Sequence, residues 1–250
     1  MTTAIHINND FVACDGKWAG EYGIAFDEHA IGKYLYFKGK IAFFAGDEYP
    51  IVTYQARLKE LITNDEFIQR TLIQSEKEHE LEYIILDATD GEKISGNEKK
   101  IRYISMLGSG GEHAANFFYF SKKANYQSAY KNNVVGALKY AYYKDPMYTG
   151  DPMTIKSWNP KHIIDTSIEN DNVAYDYQLS QRLRELDMIF QHRGNSNKNN
   201  LPNVAKSSLS VRLAAASSKR TAPLRTSASN TAPKVTVSGA IDFLKAIDNF

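Results

Sequence analysis

Cysteine is nearly missing from this 250-residue chain, with Cys14 the only one. A lone thiol builds no disulfide framework and no cysteine-based zinc site. Long apolar runs are missing as well, since nothing approaches the roughly 18–20 residues needed to span a bilayer. The N-terminus carries no basic stretch followed by an apolar run, so no secretory leader is expected. The six histidines (His6, His29, His79, His113, His162 and His192) never recur at i, i+4, which removes the helical zinc pair. There is no Gly-x-Ser-x-Gly elbow. Gly108-Ser109-Gly110-Gly111 is not followed by Lys-Ser/Thr, so it is not a phosphate-cradling loop. Hydrophobic residues make up 43% and charged residues 24%, enough to bury a core. The expectation is a soluble, cytoplasmic, globular protein that needs neither a metal nor an organic cofactor.

The net charge of +1 conceals an asymmetry. Arg193 to Ser238 contains eight basic residues and no acid, whereas residues 1–192 hold 27 acidic against 21 basic ones. Ser, Asn, Ala, Thr and Pro dominate the same basic stretch, and such a composition offers little apolar surface to offset ordering entropy. Three parts follow: a body over 1–192, a basic flexible linker over 193–237, and a short amphipathic helix over 238–250. In that helix Ser238 is the expected N-cap, and Ile241, Leu244, Ile247 and Phe250 form a stripe. A helix this short is not stable alone in water, so the stripe must be buried. Its cover is the chain's own body, a neighbouring copy, or a groove on a separate protein partner. Aromatic residues do not interleave with the basic ones, so nucleic acid is not expected as a partner, and neither is a membrane.

Within the body, strands and helices alternate. Thr2 to Ile7 and Phe11 to Asp15 flank Asn8-Asn9-Asp10, a hairpin signal because asparagine tolerates positive φ. Centring the turn on Asn8-Asn9 makes cross-strand partners sum to about seventeen, which sets Thr2 opposite Asp15. A second hairpin joins Tyr34–Phe37 to Lys40–Phe44 through Lys38-Gly39. Ile51, Tyr54, Leu58 and Leu61 have helical spacing. Leu81–Asp87 and Ile101–Leu107 read as another strand pair. Helices are expected after Gly111, from Asn133 to Tyr143, and through Leu179, Leu183, Leu186 and Phe190. Met153 to Trp158 reads as a strand that closes the second sheet.

Thr2 carries the most chemistry. A small second residue normally permits removal of the initiator methionine, which would give Thr2 a free α-amine beside its hydroxyl. Such an amine has a pKa of about 7.7–8.0 and can accept the hydroxyl proton near neutral pH. A lysine ammonium nearby would lower both pKa values, and a carboxylate would hold that lysine. Lys33 and Asp15 can supply these roles if the two hairpins adjoin.

Taken in order, several segments resemble the proteasome β-subunit and HslV family of N-terminal nucleophile (Ntn) hydrolases. They are Thr2-Thr3 with Asp15, Lys33-Tyr34-Leu35-Tyr36-Phe37, Phe43-Phe44-Ala45-Gly46, Ile104 to Gly111, and Ala137 to Gly150. The resemblance implies a four-layer α/β/β/α sandwich, with two antiparallel sheets between helices. It implies a threonine-type peptidase with Thr2 as nucleophile, Lys33 tuning it and Asp15 orienting the lysine. Gly46 would supply an oxyanion-stabilising N–H. Ser109 and Asp145 would support the nucleophile by hydrogen bonding, and Phe44 would face the pocket for the residue preceding the cut. It further implies a peptide or protein substrate and a homo-oligomeric ring. The sequence departs from the family at Thr149, which replaces a serine one residue late, and at Asp47-Glu48-Tyr49-Pro50 beside the oxyanion position. The alternative reading is a catalytically inactive, proteasome-like scaffold whose C-terminal helix docks a partner.

Overall fold

The computed structural model describes residues 3–19, 25–26, 31–124, 130–159, 165–195 and 233–248. Met1, Thr2, Phe250 and most of the basic linker lie outside these residues. The first hairpin is formed by strands β1 (Ala4–Ile7) and β2 (Phe11–Asp15). Its turn has three residues, with Asn9 at φ 58° and the Asp10 N–H donating to the Ile7 carbonyl at 3.1 Å. The added turn residue moves the register by one: Ala4 faces Cys14, Ile5 faces Ala13, and the Asp15 N–H donates to the Thr3 carbonyl at 2.9 Å. The residue opposite Asp15 is therefore Thr3, not Thr2.

Short strands β3 (Trp18–Ala19) and β4 (Ala25–Phe26) pair with each other. Strands β5 (Tyr34–Phe37) and β6 (Lys40–Gly46) then form the second hairpin. Lys38 (φ 45°) and Gly39 (φ 72°) make the two-residue turn with positive φ at both positions, which matches strand twist. Helices α1 (Glu48–Leu58) and α2 (Asn64–Glu76) follow. Helix α2 starts at a capping box, in which the Thr63 hydroxyl accepts the Glu66 N–H at 3.2 Å and the Glu66 carboxylate accepts the Thr63 N–H at 2.8 Å.

Strand β7 (Leu81–Asp87) does not pair with Ile104–Leu107 as expected. It adds to β6, with Gly46 facing Leu81, and β8 (Lys93–Gly96) follows it to give the sheet β5-β6-β7-β8. The strand over Ile104–Leu107 is β10, and together with β9 (Lys99–Ile101) it joins β1 in the other sheet. Both strands are apolar, so local pattern does not distinguish them, and their long-range pairings with β6 and β1 place them in different sheets. Helices α3 (Gly111–Lys123) and α4 (Tyr130–Lys144) follow. Strand β11 (Met153–Ser157) pairs with β2 and completes the first sheet as β11-β2-β1-β10-β9. Helix α5 (Val173–Asn195) is the last long element.

The two sheets face each other over Ala4, Val12, Cys14, Ile41, Phe43, Ile84 and Leu86. The opposite face of the first sheet buries Ile5, Phe11, Ala13 and Ile155 under α3 and α4, through Ala114, Phe118 and Leu138. Helix α1 lies on the outer face of the second sheet and α2 packs against α1, which makes four layers, α/β/β/α. No helix among the described residues is long and apolar enough to cross a membrane.

By contacts the chain divides into one unit of residues 1–183 with 231–250, and a second of Arg184–Asn230. The described part of the second unit is the end of α5. The first unit includes α6 (Val237–Asp248). Its N-cap is Thr236, whose hydroxyl accepts the Gly239 N–H at 3.1 Å, rather than Ser238. Its buried side chains are Ala240 and Phe243, while Ile241 of the expected stripe is 41% exposed. Phe243 packs among Tyr54, Phe67 and Tyr83, with ring centroids 4.6, 5.7 and 5.2 Å away. Ahead of α6, the Leu81 N–H donates to the Pro233 carbonyl at 3.0 Å, and the Val235 N–H to the His79 carbonyl at 2.6 Å. The C-terminal segment is thus a strap on its own body, and docking elsewhere would require it to leave.

Candidate functional site

Asp15 ends β2, and its carboxylate is 1% exposed. One oxygen accepts the Thr3 N–H at 2.9 Å and the other accepts the Gly150 N–H at 2.8 Å. Burial raises its pKa to about 6, against the opposing effects of Lys33 and these two hydrogen bonds. Lys33 stands just before β5 and is equally buried. Burial lowers its ammonium to about 8, with Asp15 as the main opposing influence. Its Nζ donates to the Lys17 carbonyl and sits 4.8 Å from the Trp18 ring centroid. The two partners' pKa values therefore move toward each other, and desolvation is the cause for both.

A second cluster adjoins Thr3. Its hydroxyl lies 2.8 Å from that of Thr149, and both residues are fully buried. Thr149 is delivered by the turn that ends α4, where its N–H donates to the Asp145 carbonyl at 3.0 Å. The Ser109 hydroxyl donates to the Asp145 carboxylate. Gly110, not Ser109, is the N-cap of α3, so the serine is left for that contact. Gly110 also makes room for the threonines, since a Cβ there would lie 2.0 Å from Thr3 Oγ1 and 2.8 Å from Thr149 Oγ1.

Gly46 ends β6 in the other sheet, where it faces Leu81. Its φ is 131°, and a Cβ would meet the Glu80 carbonyl oxygen at 2.2 Å, so only glycine fits. Hydrogen bonding alternates along β6: the Phe44 N–H goes to the Lys33 carbonyl (2.9 Å), the Asp47 N–H to the Glu80 carbonyl (2.9 Å). By that parity the Gly46 N–H points to the β5 side, beyond Lys33. The two carboxylates after it are drawn off. Asp47 accepts from the Glu80 N–H at 2.9 Å and pairs with His79 Nδ1 at 3.0 Å. Burial alone would raise the Asp47 carboxyl, but these two bonds hold it below its ordinary value. Glu48 takes Arg182 in two-pronged fashion, at 2.5 and 2.9 Å.

Of the residues singled out from sequence, Asp15 and Lys33 are brought together and Ser109 meets Asp145, while Gly46 lies two residues along β6 from Phe44, whose N–H bonds the Lys33 carbonyl. Thr2 lies outside the described residues. Phe44 is fully buried, and Phe43 and Ala45 on either side of it face the other sheet, so strand alternation turns Phe44 toward the helices. Sequence reasoning passed over Thr3, Gly110 and Gly150. A three-residue count for the first turn would have exposed Thr3.

No protein-family model matches the chain, and no curated protein matches it. Among solved structures, the chain is similar to a eukaryotic HslV from Trypanosoma brucei. The two are 15% identical, the match covers 62% of this chain and 98% of that one, and the TM-score is 0.41. It is also similar to BPH of Thiobacillus denitrificans, solved alone and in complex with epoxomicin. Each match is 15% identical, covers 64% of this chain and 100% of that one, and has a TM-score of 0.38.

Proposed function

We propose that the chain is a threonine-type peptidase, an N-terminal nucleophile hydrolase with Thr2 as nucleophile once Met1 is removed. The observation that carries this reading is the buried Asp15–Lys33 pair, fixed to the backbone of Thr3 one residue from the nucleophile. The Thr2 hydroxyl attacks the peptide carbonyl while its proton passes to the Thr2 amine. The Gly46 N–H stabilises the oxyanion. The C–N bond then breaks, the leaving amine takes the proton, and an acyl ester remains on Thr2. Water, deprotonated by the same amine, hydrolyses that ester and restores the threonine. Lys33 keeps the amine neutral near pH 7 by its positive charge, and Asp15 holds the peptide that links Thr2 to Thr3.

Two measurements on one sample test this. Intact-mass analysis should show a chain short of one methionine. A peptide epoxyketone, which captures a hydroxyl and an amine of one residue, should label the wild type and not Thr2→Ala. Equal labelling of both, or full retention of Met1 in an active sample, would sink the reading.

Self-association into a ring belongs to the same proposal. Tyr143 of α4 is 76% exposed and Phe120 of α3 is 56% exposed, apolar surface that a contact between copies would cover. Solution scattering should give a multiple of the 28.2 kDa chain mass. A single-chain mass over a wide concentration range would refute it.

A further inference from the structure

Strand β8 pairs with β7 only as far as Gly96 opposite Ile84, whereas β6 continues to Gly46 opposite Leu81. The C-terminal segment takes over on that side of β7. The Leu81 N–H donates to the Pro233 carbonyl at 3.0 Å and the Val235 N–H to the His79 carbonyl at 2.6 Å, with Lys234 antiparallel to Glu80 between them. Asn97 fills the gap to β8: its side-chain amide accepts the Tyr83 N–H at 2.8 Å and donates to the Leu81 carbonyl at 3.1 Å. Residues 233–235 therefore extend the sheet by strand addition from within the chain.

Two apolar anchors keep them there. Val235 is buried, and α6 plants the fully buried Phe243 in the niche of Tyr54, Phe67 and Tyr83, which joins α1, α2 and β7. A helix of this length does not hold its own shape in water, so the niche keeps the segment folded as well as attached.

The opposite side of the same three residues grips the end of β6. The Glu80 carbonyl accepts the Asp47 N–H at 2.9 Å. The Asp47 carboxylate accepts the Glu80 N–H at 2.9 Å and lies 3.0 Å from His79 Nδ1. Gly46 packs so closely on Glu80 that a Cβ would meet its carbonyl oxygen at 2.2 Å. Main-chain groups alternate sides along a strand, so His79 and Leu81 bond the C-terminal segment while Glu80 between them bonds Asp47. A shift of this edge is passed directly to Gly46 and Asp47.

We infer that the C-terminal segment positions the oxyanion donor: Val235 and Phe243 fix the His79–Leu81 edge, and that edge fixes the Gly46 N–H. The inference rests on the peptidase reading, which gives that N–H its role. Both are positioning residues, acting through Glu80 and Asp47. A donor to a developing oxyanion works only when held in place, and a displacement of about 1 Å costs about 100-fold in rate.

The test uses the full chain and fluorogenic peptides with Phe, Leu, Ala or Glu before the fluorophore. Expressing kcat per site titrated by a peptide epoxyketone leaves unfolded molecules out of the count. Phe243→Ala should lower kcat about 10- to 100-fold and leave KM within about twofold. Phe243→Leu, which keeps most of the apolar volume, should recover most of that loss. Val235→Pro deletes the N–H bonded to His79 and leaves the niche filled, and it should lower kcat in the same sense. A synthetic peptide of residues 231–250 should raise the kcat of Phe243→Ala in a saturable way. Amide hydrogen exchange gives a readout that needs no catalysis. In Phe243→Ala the Leu81 and Asp47 amides should exchange at least about tenfold faster, whereas those of Asp15 and Gly150 should not change. Faster exchange with an unchanged kcat per site overturns the positioning role and leaves the peptidase standing. Unchanged exchange at Asp47 overturns it as well. A wild type that cleaves no peptide overturns the peptidase reading, and exchange at Asp47 then decides alone whether the segment fixes this corner.

Discussion

Alanine at position 110 should lower kcat/KM by at least about 100-fold, because it displaces the residue next to the nucleophile by an ångström or more. The backbone at Gly110 (φ −83°, ψ −8°) suits any residue, so the effect is one of space alone. The new Cβ would sit 2.0 Å from Thr3 Oγ1 and 3.3 Å from the Ala141 Cβ, inside a layer with no slack. Overpacking of this kind costs about 1–3 kcal/mol. Thr3→Ala removes the colliding atom, so the double variant should regain much of the stability lost by Gly110→Ala. Urea unfolding of the four proteins gives the coupling directly. Wild-type activity in Gly110→Ala, or strict additivity of the two changes, would show that this contact does not position the N-terminus.

Replacing Lys33 with methionine should destabilise the protein by about 3–5 kcal/mol, since it leaves a buried carboxylate without its cation. Hydrolysis should fall to background. The pH dependence identifies the cause. Asp15 is raised from 3.8 to about 6 in the folded state, so its contribution to stability is full below pH 3.8 and is lost as pH rises through 6. Lys33 is lowered from 10.5 to about 8, so its contribution is full above pH 10.5 and is lost as pH falls through 8. Both are ionised between about 6 and 8, where the wild type carries the full desolvation penalty and where activity should peak. Lys33→Met should abolish the rise in stability between pH 8 and 10.5 seen in the wild type. Parallel pH–stability curves for the two proteins would sink the assignment. The activity profile reports the pair as a unit, so its limbs belong to both residues together.

The parts of the fold carried by local chemistry were legible in the sequence. Lys38-Gly39 marks its hairpin, and the spacing of Ile51, Tyr54 and Leu58 marks α1. The Thr63-x-x-Glu66 signature marks the start of α2 as well, although periodicity alone did not reveal that helix. The errors arose where two solutions share one local pattern. An Asn-Asn-Asp turn can hold two or three residues, and only the backbone at Asn9 settles which. Strands β7 and β10 are both apolar, and their assignment to different sheets depends on pairings far apart in sequence. In α6 the overlapping stripes through Ile241 and Phe243 are equally apolar, and the aromatic niche of Tyr54, Phe67 and Tyr83 selects Phe243. In the site, residue types and order pointed to Asp15, Lys33, Ser109 and Asp145. Thr149 looked misplaced by one position, yet the turn after α4 brings its hydroxyl against Thr3. The cavity that touches Asp15 and Lys33 was illegible, because its walls come from β2, β3, β5, α4, β11 and the segments that connect them, which meet only in three dimensions.

The strap has a consequence for the order of events during synthesis. Residues 233–235 leave the ribosome roughly 150 positions after the His79–Leu81 edge they cover, and contacts so distant are among the last to close. Until they do, the main-chain edge beside Asp47 and the niche for Phe243 stand uncovered. An open edge next to an apolar hollow is the kind of surface that recruits chaperones or the wrong strand. The corner bearing Gly46 thus acquires its final support only after residues 233–235 have been made, long after the sheet that it braces.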